Sequence, residues 1–502
     1  MSRRFFMSRR TFSHCPLTRS VAAALLFAAP LAHAQTTQQI QQQQVQTQQP
    51  LPAAPAPVGT PSAQQTETPQ QQLNGAPLAS PTAHPGANNN TLEQIAPPPP
   101  PPPDPRRNPP ARPGALTLEQ VVTLARNANP ALLAARRNLD ATRAQELQAG
   151  VRVNPNVTIA GQEVTLGQSN PASPYTYEAE VSRLFERGEK RRWRLESARA
   201  TTAQTDAQLR DQERSTVLAV KQQFVTMLVA KASVALADTN LADFRREVAI
   251  NHDRYQAGDI GKLDFERLDL QLAQFESDQS SAQINLRQAS DQLQTLIGAE
   301  TPRVDFDIQG DIVPPDLTLD LATLDTRALA NRPDYQAAIA GVAVADAGVK
   351  LAYANGTTDP TLEGEYDRTS IYNSAGFNVS IPLRIFDRNQ GNKKTSEYTA
   401  QASRFTVVAA KNQALSDVDQ AYVAYTQSRS LSARYNAHYL DEAQDVLSIA
   451  QFAYQHGGIA LIDYLDALRD SRQTTSDALQ AYAATWLAIH QLSYAAAFEV
   501  QP

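Results

Sequence analysis

The chain has 502 residues, a formal net charge of −6, 42% apolar residues and one cysteine, Cys15. An acidic balance lacks the basic footprint that nucleic acid requires, and a lone cysteine excludes a fold stapled by disulfides.

Residues 1–34 read as a secretory signal peptide: a basic start, MSRRFFMSRRTFSHCPLTRS, then the apolar VAAALLFAAPLA, then AHA ending at Ala34. The string SRRTF at Ser8–Phe12 is similar to a twin-arginine export signal, but it fits loosely, with several residues still to pass before the apolar run, so general secretion is the expected route. Cys15 lies in the removed segment with no apolar lipobox before it, so the mature protein is expected to carry neither disulfide nor lipid anchor. An exported fold without disulfides relies on a large core or on contacts between copies. Residues 35–113 are rich in Gln, Pro, Ala and Thr and include QQIQQQQVQTQQ and the unbroken run Pro97–Pro103. This composition cannot build a core and predicts a disordered tether with polyproline II stretches; a ligand for a proline-binding partner is the alternative.

The folded domain is expected over 114–502. No proline occurs from Tyr175 to Thr301 or from Leu383 to Val500, and both stretches are rich in strong helix formers. Each is interrupted by a glycine turn, at Gly258 and at Gly457, so each predicts a long helical hairpin. No apolar run in the mature chain reaches the eighteen or so residues of a membrane-spanning helix. The turn itself is written twice, as YQAGDIGKLDFERLD from Tyr255 and YQHGGIALIDYLDAL from Tyr454. Tyr255 and Tyr454 are 199 apart, Phe185 and Phe386 201, Pro130 and Pro333 203. The chain is therefore an internal duplication, with repeat one over about 116–301 and repeat two over about 317–500. Each copy is expected to run helix, two short strands, long helix, tight turn, helix. From Glu189 to Tyr255 the outgoing helix would be about 100 Å long at 1.5 Å per residue. Leu268, Leu272, Phe275, Ala282, Leu286, Ala289 and Leu293 form a coiled-coil seam on the first return helix, and Leu468, Leu479, Tyr482, Trp486 and Ile489 keep its register on the second.

Between the helices the hydrophobic period switches to two. Tyr175, Tyr177, Ala179 and Val181 alternate with polar residues, as do Ala375, Phe377, Val379, Ile381 and Leu383. Their partners are NVTIAGQEVTL, whose phase slips near Gly161, and TLEGEYD around Leu362. Each pair predicts a hairpin with one apolar and one polar face. Such faces either pack on a helix or meet lipid. Strand pairs set between rods of about 100 Å have little else to pack on, and strands of roughly ten residues are the unit of outer membrane barrels. Tyr175, Tyr177, Val181, Phe377, Val379 and Ile381 are thus expected to face lipid. Four strands cannot close a barrel, and lipid tolerates only closed ones.

The duplicated halves, the two turns, and the segments LFERGEKRRWRLESA and IPLRIFDRNQGNKK resemble the TolC-type outer membrane efflux proteins over about Leu116–Val500. Phe386–Asn392 and Gly188–Arg191 are most similar to the outer membrane members of cobalt-zinc-cadmium type heavy-metal exporters. The resemblance implies a mainly α fold with a membrane β-barrel part. Internally duplicated long helical hairpins would form a trimeric α-barrel tunnel, and four strands per protomer would enter a shared twelve-stranded β-barrel. It implies an outer membrane channel reaching into the periplasm of a Gram-negative cell, a passive exit duct for metal cations or small toxic compounds. Its implied partners are two further copies, a periplasmic membrane-fusion adaptor, an inner membrane pump of the resistance-nodulation-division type, and outer membrane lipid. The turns at Tyr255, Gly258, Tyr454 and Gly457 would be the periplasmic tips, and Asp463, Asp466 and Asp264 a pore-constricting ring that attracts cations. Taken alone, these aspartates also suit helix starts, where carboxylates meet the positive end of the helix dipole. The family's best-known member has an arginine just after the second tyrosine that helps latch the closed state; Ile459–Ile462 contain none.

No catalytic constellation is present. His252, His438, His456 and His490 are scattered without metal-ligand spacing, and no phosphate loop or GxSxG motif occurs. No enzyme activity, metal site or cofactor is expected. The alternative of another class is a soluble periplasmic coiled-coil adaptor or scaffold with its hairpins packed inside.

Overall fold

The computed structural model describes residues 104–162 and 175–500; the signal peptide and the tether up to Pro103 lie outside the described residues. The duplication is explicit. Repeat one contains α1 (Leu118–Ala128), α2 (Pro130–Gly150), β1 (Asn156–Gln162), β2 (Thr176–Leu184), α3 (Lys190–Ala257) and α4 (Lys262–Leu296). Repeat two contains α5 (Leu321–Asn331), α6 (Pro333–Asn355), β3 (Thr361–Thr369), β4 (Tyr372–Ser380), α7 (Gln390–Arg434), α8 (Leu440–Gln455) and α9 (Leu461–Ala496). A π turn, Tyr435–Tyr439, joins α7 to α8, so the outgoing helix of repeat two is α7, the π turn and α8 in series. At 68 residues α3 is about 100 Å long.

Local chemistry sets the ends of these elements. Thr117 and Gln120 form a reciprocal capping box on α1, and Pro130 and Pro333 stand in the first turn of α2 and α6, where a missing N–H costs nothing. Both long outgoing helices start after a left-handed residue, Glu189 (φ 58°) or Asn389 (φ 61°). The junction before α3 is held by buried Lys190, whose ammonium donates to the Thr357 carbonyl (2.8 Å) and to Asp359. Asp359 also accepts from the Arg187 N–H (2.8 Å), so the GEKR segment ties repeat one to the entry of β3.

Three clusters of buried side chains follow one another along the rods. The first joins α1, α3 and α9 through Val121, Phe224, Leu228, Ile308 and Tyr482; the second joins α5, α7 and α9 through Leu324, Val418, Tyr425 and Ile489; the third lies near the glycine turns. The predicted seams are real: Leu268, Phe275, Ala289 and Leu293 are buried on α4, as are Leu479, Tyr482 and Ile489 on α9. One sequence expectation needs correction. Stretches of α3 and α6 are, by length and composition, apolar enough to cross a membrane, although no unbroken apolar run signals it. The two helices pack on each other.

The tether is also shorter than its composition suggests, because residues 104–113 are bound to the folded body. The Arg106 guanidinium donates to Asp441 (2.8 Å) and, at 3.5 Å, to the Asn436 carbonyl in the π turn. Asn108 donates to Asp311 (2.8 Å) and accepts from the Ile312 N–H (2.9 Å), and the Arg112 N–H donates to Asp307 (2.7 Å). A parallel bridge between Leu116 and Ile308 completes the strap. Deleting residues 35–103 is expected to leave stability unchanged, whereas extending the deletion through Pro113 should cost about 2–4 kcal/mol, from several lost hydrogen bonds, some to charged groups. Thermal unfolding of the two truncations checks this; identical midpoints would mean that the strap is idle.

Candidate functional site

The four strands form one antiparallel sheet in the order β1-β2-β3-β4, in which β2 and β3 join the two repeats. Its register sorts the side chains. Val157, Val181, Gly364 and Phe377 lie across from one another, and the next row is Ile159, Ala179, Tyr366 and Ala375. Because side chains alternate along a strand, these rows share a face with Tyr177, Leu362 and Val379. Tyr175, one residue before β2, sets its ring edge-on to Tyr177 at 5.6 Å. Ile159 and Phe377 are each 82% exposed. The opposite face carries Glu178, Glu180, Glu363, Glu365, Asp367 and Asn378, the last bonded to Glu363 (2.9 Å). The phase change expected near Gly161 is not seen through Gln162, and the residues after it lie outside the described set.

The apolar face is bounded along the strands. Arg183 stands at one end and Arg368, paired with Tyr177, at the other. Six residues of β2 separate these levels, about 20 Å at 3.3 Å per residue, close to the roughly 25 Å apolar band of an outer membrane barrel. Tyrosines gather at the Arg368 end, and exposed Phe185 and Phe386 at the other. The outer edges of β1 and β4 have no ladder partner among the described residues.

At the far end of the rods the two glycine turns have one geometry. Gly258 (φ 85°) and Gly457 (φ 73°) are left-handed, which a residue with a Cβ rarely tolerates. In both, the glycine N–H reaches the tyrosine carbonyl three residues back, and the next N–H reaches the carbonyl five back, which satisfies the last orphan acceptors of the helix. Tyr255 stacks on Phe265 at 5.2 Å, and Tyr454 on Tyr464 at 5.3 Å, both with rings 5° apart. The surroundings of the two differ. Tyr454 is buried between the hairpins, while Tyr255 is exposed.

Tyr454 is held by a network that sequence reasoning missed. Its hydroxyl donates to Asn251 Oδ1 (2.9 Å), and Asn251 Nδ2 donates to the Glu247 carbonyl (2.9 Å) and to Glu247 Oε1 (3.0 Å). Asn251 is fully buried, and burial raises the Glu247 carboxyl above its ordinary range. Arg254 stands over the Tyr454 ring, 5.6 Å from its centroid. The link between hairpins thus comes from the outgoing helix of repeat one. The available signal was polar Glu247, Asn251 and Tyr255 at helical spacing of four, on a helix whose other seam positions are apolar.

Asp463 and Asp466 are exposed on one face of α9, opposite buried Leu461, Tyr464 and Leu465. Asp463 accepts from the Ala460 N–H (3.3 Å), so it also closes the helix start; Asp466 pairs with Arg469 (2.9 Å). Asp264 is half-buried and lies 3.8 Å from Arg267. The histidines stay apart: His252 lies by Phe265, His438 by Glu442, His456 by Phe452, and His490 is buried on α9. Among the described residues no three His, Cys, Asp or Glu side chains gather to hold a metal ion.

Twin helical rods with paired tips carry a sheet with an apolar face, an acidic face and two outer edges unpaired among the described residues. The family model described as outer membrane efflux protein matches residues 121–299 and 324–493, one segment in each repeat, and the chain belongs to that family. It is 28% identical over 360 residues to the cobalt-zinc-cadmium resistance protein CzcC of Cupriavidus metallidurans, covering 71% of this chain and 84% of CzcC. It is 26% identical over 277 residues to the cation efflux system protein CusC of Escherichia coli K12, covering 51% and 59%. A solved CusC structure superposes with a TM-score of 0.63 at 20% identity, covering 80% of this chain and 99% of that one. The protein is an outer membrane channel component of a tripartite efflux system, and it extends into the periplasm.

Proposed function

We propose that three copies of this chain close one twelve-stranded barrel and one helical tunnel, and that this duct passes metal cations delivered by a periplasmic membrane-fusion adaptor and an inner membrane pump of the resistance-nodulation-division type. The observation that carries the reading is the amphipathic sheet with both edges open, since lipid tolerates strands only when every edge is paired. The apolar face, including Tyr175, Tyr177, Val181, Phe377, Val379 and Ile381, meets lipid, and the acidic face lines the lumen. The tips support a ring in the same way. Tyr255 offers a stacked surface like the one Tyr454 buries against the neighbouring hairpin, but within one copy it stays 37% exposed. A head-to-tail contact that repeats this packing between copies closes when the rotation does. Adaptor hairpins meet the protein at these tips, at Gly258 and Gly457. The duct performs no catalysis and needs no cofactor. The relatives CzcC, a cobalt-zinc-cadmium resistance protein, and CusC, a cation efflux system protein, support a cation cargo.

Asp463, Asp466 and Asp264 form the constriction. Three copies bring six α9 carboxylates into one mouth, where their fields add. Arg469 already offsets Asp466, so Asp463 supplies most of the attraction. In planar bilayers, hexaamminecobalt(III) should block the channel, and Asp463→Asn with Asp466→Asn should raise the half-blocking concentration about tenfold, roughly 1.4 kcal/mol. Wild-type block in the double variant would leave these residues as helix-start carboxylates and remove the ring.

A further inference from the structure

Positive charge is concentrated at the end of the sheet where all four strands join helices, which is its periplasmic end. Residues 183–194 hold six Lys or Arg and two carboxylates, and residues 384–394 hold four and one, in a chain of net charge −6. The two segments converge on one turn, the link from α6 to β3. Lys190 donates to the Thr357 carbonyl there (2.8 Å), and Asn389 Nδ2 donates to the Ala352 carbonyl (2.7 Å). Part of this charge holds the fold: Lys190 pairs with Asp359, Arg194 with Glu186 (2.6 Å), Arg192 with Glu189 (3.0 Å) and Lys394 with Glu397 (2.7 Å), while Lys393 lies over the Tyr353 ring. The rest does not. Arg183, Arg187, Arg191 and Arg388 are exposed, and with Arg384 their side chains make no hydrogen bond or ion pair among the described residues. Arg183 meets only the Phe185 ring, 5.1 Å from its centroid. Neither α3 nor α7 has a carboxylate in its first turn, although cations are disfavoured at the positive end of the helix dipole. Cations crowded in this way repel one another, at a cost that a bound anion offsets. The neighbours of these arginines are apolar and uncovered: Phe386 is 90% and Leu383 79% exposed, and Phe185 and Ile385 are exposed beside them. A free anion would meet the guanidinium groups but leave these side chains in water.

We propose that this belt binds anionic phospholipid in the periplasmic leaflet of the outer membrane, with the headgroup phosphate on Arg187, Arg191 and Arg388 and the acyl chains against Phe386 and Leu383. The planar guanidinium fork matches a phosphate, and basic clusters beside a membrane segment select net-negative lipid. A zwitterionic headgroup brings its own cation to the patch and gains less. The inference rests on the reading that the apolar face of the sheet meets lipid, and it is independent of the cargo.

The test reconstitutes the full-length protein into vesicles of equal phosphatidylglycerol and phosphatidylcholine with the same acyl chains, extracts it in mild detergent and counts the retained lipids by native mass spectrometry. The wild-type protein, which needs no variant to fold, should retain phosphatidylglycerol over phosphatidylcholine by about threefold or more, and excess glycerol 3-phosphate, which has the phosphate without the chains, should not displace it. Arg187→Gln with Arg191→Gln and Arg388→Gln should bring the ratio close to one. Arg126→Gln with Lys411→Gln and Arg434→Gln removes the same charge from exposed positions on the rods and should leave the ratio unchanged. A wild-type protein that enters vesicles and retains both lipids equally, an equal fall in both triple variants, or displacement by glycerol 3-phosphate overturns this inference alone. A protein that enters no vesicle overturns the lipid-facing sheet along with it.

Discussion

Arginine at Phe377 together with arginine at Val379 is expected to abolish assembly of the protein in the outer membrane. Both side chains stand on the apolar face of the edge strand β4, at the levels of Val181 and Arg183, and are 82% and 50% exposed among the described residues. A lipid-facing arginine costs roughly 2–4 kcal/mol at mid-bilayer and less toward the interface. A trimer would carry six, a total on the order of 10 kcal/mol, comparable with the 5–15 kcal/mol that ordinarily holds a folded protein together. Asn378→Arg, between them on the acidic face, loses only the bond to Glu363 and should be tolerated. The yield of heat-resistant trimer in isolated membranes measures this. Wild-type yield from the Phe377/Val379 double variant would show that this face does not meet lipid.

The second large effect is expected at the tips. Asn251→Ala strips the Tyr454 hydroxyl of its acceptor and leaves Glu247 with Gln451 as its remaining side-chain donor inside a buried cluster. Leaving buried polar groups unpaired costs about 1–3 kcal/mol each, enough to shift a two-state tip toward the open form by one to two orders of magnitude. Single-channel recording should show higher mean conductance in Asn251→Ala and, less strongly, in Tyr454→Phe. Glu247 adds a pH dependence with a defined sign. Its carboxyl titrates above the ordinary value when buried in the joined tips and near it when exposed by their separation. The joined state therefore binds the proton more tightly, is strongest at acid pH, and loosens as pH rises from the ordinary carboxylate value through the raised one. Glu247→Gln should flatten that dependence. Conductance unchanged in Asn251→Ala at every pH would mean that the network only packs the tips.

How much of this was legible in the sequence depended on whether the signal was periodic. Proline-free stretches, the heptad seams around Leu268 and Leu479 and the period-two strands gave the helices, the seams and the sheet, because each repeats along the chain and each repeat adds to the signal. The register also places Tyr177, Val181, Phe377 and Val379 on one face of the sheet. What failed to show was single and non-local. Asn108, Arg106 and Arg112 sit among prolines and look like tether, and only partners two to three hundred residues away turn them into a strap. Asn251 and Glu247 look like solvated helix positions until the second hairpin arrives and buries them under Tyr454. His490 looked like one of several scattered histidines, and nothing in its neighbours along the chain signals a buried ring. Ile459–Ile462 contain no arginine, and the bond from Tyr454 to Asn251 could only be seen once both hairpins were placed together.

In the proposed trimer the open edge of β1 in one copy pairs with the open edge of β4 in the next, three times around. The lone cysteine, Cys15, lies in the segment read as a signal peptide, so introduced cysteines in the mature protein would have no competitors. A register panel pairing Cys at Val157 or Ile159 with Cys at Ala375, Phe377 or Val379, oxidised in intact membranes, tests the claim on a non-reducing gel. At least one pair should give a covalent ladder that ends at three chains, with each single-cysteine variant remaining at one. A panel that yields only single chains, or a ladder that runs past three, would contradict a closed barrel of three copies.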